Sequence, residues 1–222
     1  GTRRIYGIDG VNKGFEFDGT VYVPIATGMT TDTPNYVRVH KKQLFFMFRA
    51  SIQNSAVGFP YQWSAVVGAL EIGMGDDISG ALVQPGEVLA ISTRNSCSQL
   101  LGSSVANWSL QSISPEVGAI PRTMQNIGLA YCLDDRGVIQ ITRTQNYGNF
   151  ESATISRAVQ PIINQMRSVV VATSVYKSRN QYRMYGSDGT GIVMTISEKG
   201  ARFTQFLYPF NVSCAWTGED TT

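Results

Sequence analysis

The sequence is poor in charge. Of its 222 residues only 15% are Asp, Glu, Lys or Arg, against about 25% in an ordinary soluble chain. Ser, Thr, Asn and Gln fill the polar positions instead. Such a surface is weakly solvated for a free monomer and suits a chain that covers much of it against neighbours. The net charge is +2, and Lys and Arg are scattered rather than gathered into a basic stripe, which argues against a dedicated nucleic-acid binder. Histidine is nearly missing. His40 stands alone, so a Ser-His-Asp triad could be built only around it, and a His-based metal site lacks ligands. Cys97, Cys132 and Cys214 are odd in number, far apart and without a CxxC, which predicts thiols in a reducing compartment. No apolar run reaches the about 18 residues of a membrane span, and no signal-peptide pattern opens the chain. The chain starts Gly-Thr-Arg-Arg-Ile-Tyr, without Met and almost directly in a strand, and so reads as part of a longer polypeptide.

What the chain has in quantity is short hairpins. The clearest runs from Gly128 to Phe150: Leu129, Tyr131 and Leu133 alternate, Asp134-Asp135-Arg136-Gly137 turns, and Val138, Ile139 and Ile141 resume the apolar pattern. Asp bonds its own backbone and Gly accepts positive φ, which is what a tight turn needs. The same grammar predicts strands at Arg3–Ile8, Phe15–Phe17, Val21–Val23 and Tyr36–Val39, with turns at Asp9-Gly10, Asp18-Gly19 and Lys41-Lys42. Leu44 to Phe48 is a continuous apolar run, as in a strand buried on both faces. Ser51–Trp63, with Gly58 and Pro60, reads as an ordered loop anchored by aromatics. Further strands are expected at Ala69–Ile72, Val88–Ser92, Cys97–Leu101, Trp108–Ile113, Val169–Ala172, Gln181–Tyr185, Ile192–Ile196, Phe203–Leu207 and Pro209–Trp216. Between Ser152 and Met166 the pattern breaks: Ile155, Val159, Ile162, Ile163 and Met166 form a helical stripe interrupted by Pro161, a short helix broken or kinked there.

Taking Lys42, Asn95, Asp135 and Ser178 as hairpin centres, the steps are 53, 40 and 43 residues. A period of about 40–50 with four short strands per repeat is the signature of a β-propeller blade. The expected fold is therefore all-β: a propeller of four-stranded blades with one short helix, residues 1–222 forming a single propeller domain or a propeller segment of four or five blades.

No residue set announces a reaction. Asp76-Asp77 and Asp134-Asp135 each lie beside Gly in a turn, where local hydrogen bonds explain them better than Ca²⁺. Gly73-Met74-Gly75 lacks the third glycine and the helix of a phosphate-binding loop. Asn107-Trp108-Ser109 and Asn211-Val212-Ser213 match a glycosylation pattern by chance in a chain rich in Asn and Ser. Phe45, Phe46, Phe48, Tyr61 and Trp63 fit core packing better than a sugar platform. No catalytic, cofactor-binding or metal-ligating residue is assigned.

Several stretches, VHKKQLFFMF (Val39–Phe48), SAVGFPYQW (Ser55–Trp63), PGEVLAISTRNSCSQLLG (Pro85–Gly102), DDRGVIQITRTQNYGNF (Asp134–Phe150) and NQYRMYGSDGTGI (Asn180–Ile192), together resemble the β-propeller structural proteins of tailed-bacteriophage tails and head–tail connectors, of the nozzle, hub or packaged-DNA-stabilising type. The resemblance implies a non-enzymatic virion component, assembled in the host cytoplasm. Its partners would be copies of itself in a ring, often sixfold, around the DNA exit channel, and neighbouring tail, adaptor or portal proteins. A stiff propeller suits that task, and low charge lets DNA slide past with at most weak, non-specific contact. If a loop faces the channel, the turn Arg38, Lys41, Lys42 is the best candidate. An alternative is a receptor- or glycan-binding propeller at the tail tip, with Tyr61, Trp63 and Asp76 as its nearest candidate residues; a glycosidase would need a carboxylate pair that does not stand out.

The cysteine spacing makes a simple expectation. Alkylation after unfolding without reductant should label Cys97, Cys132 and Cys214 alike, and a mass corresponding to a Cys97–Cys132 bridge would contradict it.

Overall fold

A computed structural model describes residues 4–84, 86–141 and 154–218. Arg3, Pro85, Ser152 and residues 142–150 of the long hairpin stretch lie outside them. The chain divides into two compact units, Gly1–Thr93 with Gln99–Gln111, and Arg94–Ser98 with Ser112–Thr222.

The first unit begins with the meander β1 (Ile5–Gly7), β2 (Phe15–Phe17) and β3 (Tyr22–Pro24). Its reversals work as the Asp-Gly pairs predict. Asp9 Oδ1 accepts the Val11 and Asn12 amides at 2.9 and 2.7 Å, and Asp18 Oδ1 accepts those of Thr20 and Val21 at 2.9 and 2.8 Å. β4 (Tyr36–His40), β5 (Gln43–Met47), β6 (Ser51–Asn54) and β7 (Leu70–Gly73) make a four-stranded meander. β5 is buried throughout, as its apolar run requires. Phe45 and Met47 enter one core with Ile52, Leu89, Ile91 and Leu100, while Leu44 and Phe46 enter another with Ile25 and Trp63. Pleating sends alternate side chains to opposite faces, so one strand serves two cores.

β6 corrects the expectation of a loop from Ser51: the irregular segment begins only at Ser55. SIQN carries a single apolar residue, too little for a period to be read. β8 (Ile78–Gln84) escaped the sequence for a related reason. Gly80 and Ala81 dilute it, and its register with β9 (Val88–Thr93) shifts between Ile78 and Gly80. β10 (Cys97–Leu101) and β11 (Ser109–Ser114), each divided between the units, complete the order β11-β10-β9-β8.

In the second unit β12 (Gln125–Ile127), β13 (Leu129–Asp134) and β14 (Gly137–Gln140) form a three-stranded meander. Asp134 pairs with Gly137 across the two-residue turn Asp135-Arg136, as expected. Asp135 meets the guanidinium of Arg94 and, at 3.8 Å, that of Arg167. β15 (Val170–Tyr176), β16 (Gln181–Gly186), β17 (Thr190–Ser197) and β18 (Gly200–Leu207) form a four-stranded meander. The helix is α1 (Gln160–Val169), later than its stripe suggested. Pro161 occupies its first turn, where the missing N–H costs nothing, so it starts the helix instead of kinking it. Ile163 and Met166 pack on Tyr182, Met184, Ile192 and Met194. The strand expected at Pro209–Trp216 does not form: Pro209 has no amide for a ladder, and the chain is held at Tyr208, whose N–H donates to Gly189 O at 2.8 Å. No disulfide joins the described cysteines; Cys97 and Cys132 are buried and Cys214 is exposed.

The sheets open at Ile5, Tyr36, Ile78, Gln125 and Val170, so the last three steps are 42, 47 and 45 residues. The turns used to estimate the period are not equivalent, since Lys42 and Ser178 follow first strands whereas Asn95 and Asp135 follow second strands. The repeat length survived because the offsets stay within one hairpin.

Gly137 has φ 135°, and a Cβ there would sit 2.3 Å from Ser156 Oγ. That buried hydroxyl accepts the Val138 amide at 3.0 Å. Gly137→Ala should therefore cost about 1–3 kcal/mol in urea unfolding; an unchanged midpoint would contradict this packing.

Candidate functional site: the loop end of the second sheet

The turn singled out in the sequence joins β4 to β5. Lys41 and Lys42 have φ of 47° and 60°, the left-handed pair that a two-residue hairpin turn demands and that glycine or asparagine normally supplies. Their three neighbouring charges are used differently. Arg38 lies back on β4 and is half-buried; its Nε donates to Ala81 O and its Nη1 to Val37 O, both at 2.8 Å. Burial pulls its pKa below the usual range. The Lys41 ammonium donates to Gly102 O. The Lys42 side chain is exposed. Of the trio, Lys42 alone presents its charge fully to solvent.

A second segment, Ser55–Ala69, is built onto this turn. Ser55 holds its root: its N–H donates to Leu44 O at 2.9 Å, its Oγ accepts the Leu44 amide at 3.0 Å, and its carbonyl accepts Gln43 Nε2 and Asn54 Nδ2 at 3.1 and 3.0 Å. Gly58 N–H donates to Lys42 O at 2.7 Å, and Ala56 N–H to Gln62 O at 2.8 Å. Trp63 closes the loop by stacking on Phe46 at 4.9 Å and donating its indole N–H to Pro60 O at 2.8 Å. A third segment, Gly102–Asn107, is pinned by Asn107 Oδ1, which accepts the Ser103 and Ser104 amides, both at 2.9 Å.

These rigid loops turn apolar side chains outward. Val57 is 48% exposed, Phe59 59%, Val66 95% and Val67 43%. Val57, Phe59 and Val67, with Gln43, Gln62, Val105 and Ala106, line a depression of about 400 Å³. Clustered exposed apolar groups on hydrogen-bonded backbone mark a contact surface. Sequence reasoning found the loop but assigned its aromatics together to the core. Phe45, Phe46, Phe48 and Trp63 are indeed buried, whereas Tyr61 is 43% exposed.

His40 is buried, with its ring centroid 5.9 Å from Phe45 and 6.0 Å from Trp108. It closes β4 on the covered side, a burial that only the neighbouring elements reveal. Burial lowers its pKa, Lys41 lowers it further, and Glu87 acts the other way. Asp76 does not join Tyr61 and Trp63. It belongs to the β7–β8 connection, beside the β5–β6 turn, where Met74 and Ile78 amides donate to Ala50 and Arg49 carbonyls at 2.8 and 2.7 Å. A meander puts those turns at the opposite end of the sheet from Lys41-Lys42. That end holds an open depression of about 880 Å³, lined in part by Met29, Thr33, Asn35, Arg49 and Glu71.

Among the described residues no group of three or more His, Cys, Asp or Glu is placed to hold a metal ion, and no helix is long and apolar enough to cross a membrane.

No protein-family model matches the chain, and no curated protein matches it. Solved structures do. The Saccharomyces cerevisiae protein Sqt1 aligns over 97% of this chain and 62% of its own, at 11% identity and TM-score 0.59. The β-propeller domain of Cps50 (Swd1) from Myceliophteria thermophila aligns over 91% and 68%, at 7% identity and TM-score 0.56. The extracellular domain of a hybrid two-component system from B. thetaiotaomicron aligns over 91% of this chain but only 27% of its own, at 10% identity and TM-score 0.57. At such identities the likeness is one of fold. The repeated antiparallel meanders are those of an all-β propeller.

Two outcomes are expected. Replacing Lys41-Lys42 by Asn-Gly should raise stability by about 1 kcal/mol by removing left-handed strain, measured by urea titration; a loss of stability would show that the lysine side chains hold the turn. For His40 the folded pKa lies below the unfolded value of about 6.5. The unfolded chain then binds more protons in the window between them, so stability is full above about pH 6.5 and declines as pH falls below it. His40→Leu should flatten that part of the pH–stability curve, and an unaltered slope would exclude His40 as its source.

Proposed function

We propose that this β-propeller is a non-enzymatic structural component of a tailed-bacteriophage virion, a tail or head–tail connector protein whose copies form a ring around the DNA exit channel. The observation that carries this reading is the loop end of the β4–β7 sheet. It offers a hydrogen-bonded apolar face, with Val57, Phe59 and Val66 outward, of the kind one stiff subunit uses to grip another. The resembling stretches Val39–Phe48 and Ser55–Trp63 include the turn and the loop of this end of the sheet. Function here is mechanical: the propeller holds position and the loops make contacts. DNA passing such a ring would meet few free cationic donors at this turn, because Arg38 and Lys41 already donate to carbonyls and Lys42 alone of the three is fully exposed. The receptor- or glycan-binding alternative gains less support, since Trp63 is buried against Phe46 and Asp76 lies at the other end of its sheet from Tyr61.

Gold-labelled antibody raised against this chain should decorate purified particles at the neck or tail in electron micrographs. Absence of the chain from washed particles, or hydrolysis of a glycan or phosphoester by the purified protein, would overturn the assignment.

A further inference from the structure

We propose that the depression between the Ser55–Ala69 and Gly102–Asn107 loops receives an apolar anchor side chain from an acidic segment of a partner protein, with Lys42, on the turn that bonds the first loop through Gly58, pairing the flanking carboxylates. The inference deepens the contact role above by naming what is gripped. Its cavity, about 400 Å³, falls at the small end of the range for ligand sites, about 300–1,000 Å³, and suits a bulky side chain better than a flat surface. Val57, Phe59, Val67, Val105 and Ala106 give it apolar walls. Those walls are held before any partner arrives, by Gly58 N–H on Lys42 O, by the Ser55 hydrogen bonds and by Asn107 on the Ser103 and Ser104 amides. A preformed pocket avoids the ordering cost that weakens flexible contacts.

The charge of the occupant follows from the sequence around the cavity. Residues 55–69 and 102–108 contain no Asp, Glu, Lys or Arg. Formal charge enters these three segments only through Lys41 and Lys42, and the Lys42 carbonyl is itself bonded into the pocket loop. Glu87 is near enough to act on His40, and Glu16, Asp18 and Arg4 act on Tyr61, which does not line the cavity; these carboxylates offset part of the field on the His40 and Tyr61 sides. An anionic flank therefore finds a cation beside the pocket, whereas a basic one meets like charge. An exposed Phe59 at the margin adds area that shields the anchor from water.

The test uses the isolated chain and a fluorescein-labelled peptide with one tryptophan between glutamates, followed by polarisation at low salt. Saturable micromolar binding is expected. Changing the tryptophan to serine, or the glutamates to lysine, should each weaken it about tenfold. Ala106 is exposed, so Ala106→Arg should fill the cavity without unfolding the chain and abolish binding. Lys42→Glu should weaken binding several-fold, an effect that shrinks as salt rises. Absence of saturation by the glutamate-flanked peptide, equal binding by Ala106→Arg, or competition by a neutral oligosaccharide in place of the peptide would overturn the proposal. None of these results depends on where antibody decorates a particle, so the pocket and the virion role fail separately.

Discussion

Burial of β5 on both faces is the constraint on which the first unit depends. A strand whose two faces are both covered leaves no polar alternation to exploit, and a slip of one residue would exchange Phe45 and Met47 for Leu44 and Phe46 between cores of different shape. The register must therefore be fixed where the strand begins. The Lys41-Lys42 turn does this on one side of that tip and the Ser55 hydrogen bonds to Leu44 do it on the other. The tip is stiff because the core beneath it tolerates only one alignment.

That stiffness explains why the same residues serve packing and contact. Phe46 lies in the core and stacks Trp63, and Trp63 bonds Pro60. The outward-facing Phe59 and Tyr61 are thus neighbours in sequence of a buried anchor. Exposed apolar groups on a mobile loop would collapse onto the surface. Here the loop backbone is committed to hydrogen bonds, and the side chains stay presented.

Much of the architecture was legible in the sequence, for reasons that can be named. Asp9 and Asp18 beside glycines, and Asp134 three residues before one, mark turns because their carboxylates bond amides two or three residues on, an interaction that needs no tertiary context. β5 was legible because the five consecutive buried positions Leu44–Phe48 all demand apolar residues. β6 and β8 were not, since one isoleucine in SIQN, or glycine and alanine in ISGAL, depend on neighbouring strands to become part of a sheet. Pro161 was misread because a stripe does not say whether a proline falls in the first turn or the middle. Burial of His40 and engagement of Arg38 with Ala81 O are set by β8 and Trp108, distant in sequence. The contact patch showed only as composition, SAVGFPYQW, in which nothing separates inward Trp63 from outward Phe59. Expectations of ring assembly and particle location came from resemblance, and the fold by itself is silent on both.

The Lys41-Lys42 turn has one more consequence, for enzymes that cut chains. A dibasic pair on a surface tip is ordinarily an inviting trypsin site, but proteases bind their substrates extended across several residues. Here both lysines are in left-handed conformations, the Lys42 carbonyl is bonded to Gly58, and the flanking residues are paired strands. Cleavage would require the tip to open and β4 to part from β5. The rate at which trypsin nicks this bond is therefore a clock for local opening of the hairpin on which both cores of the first unit rest.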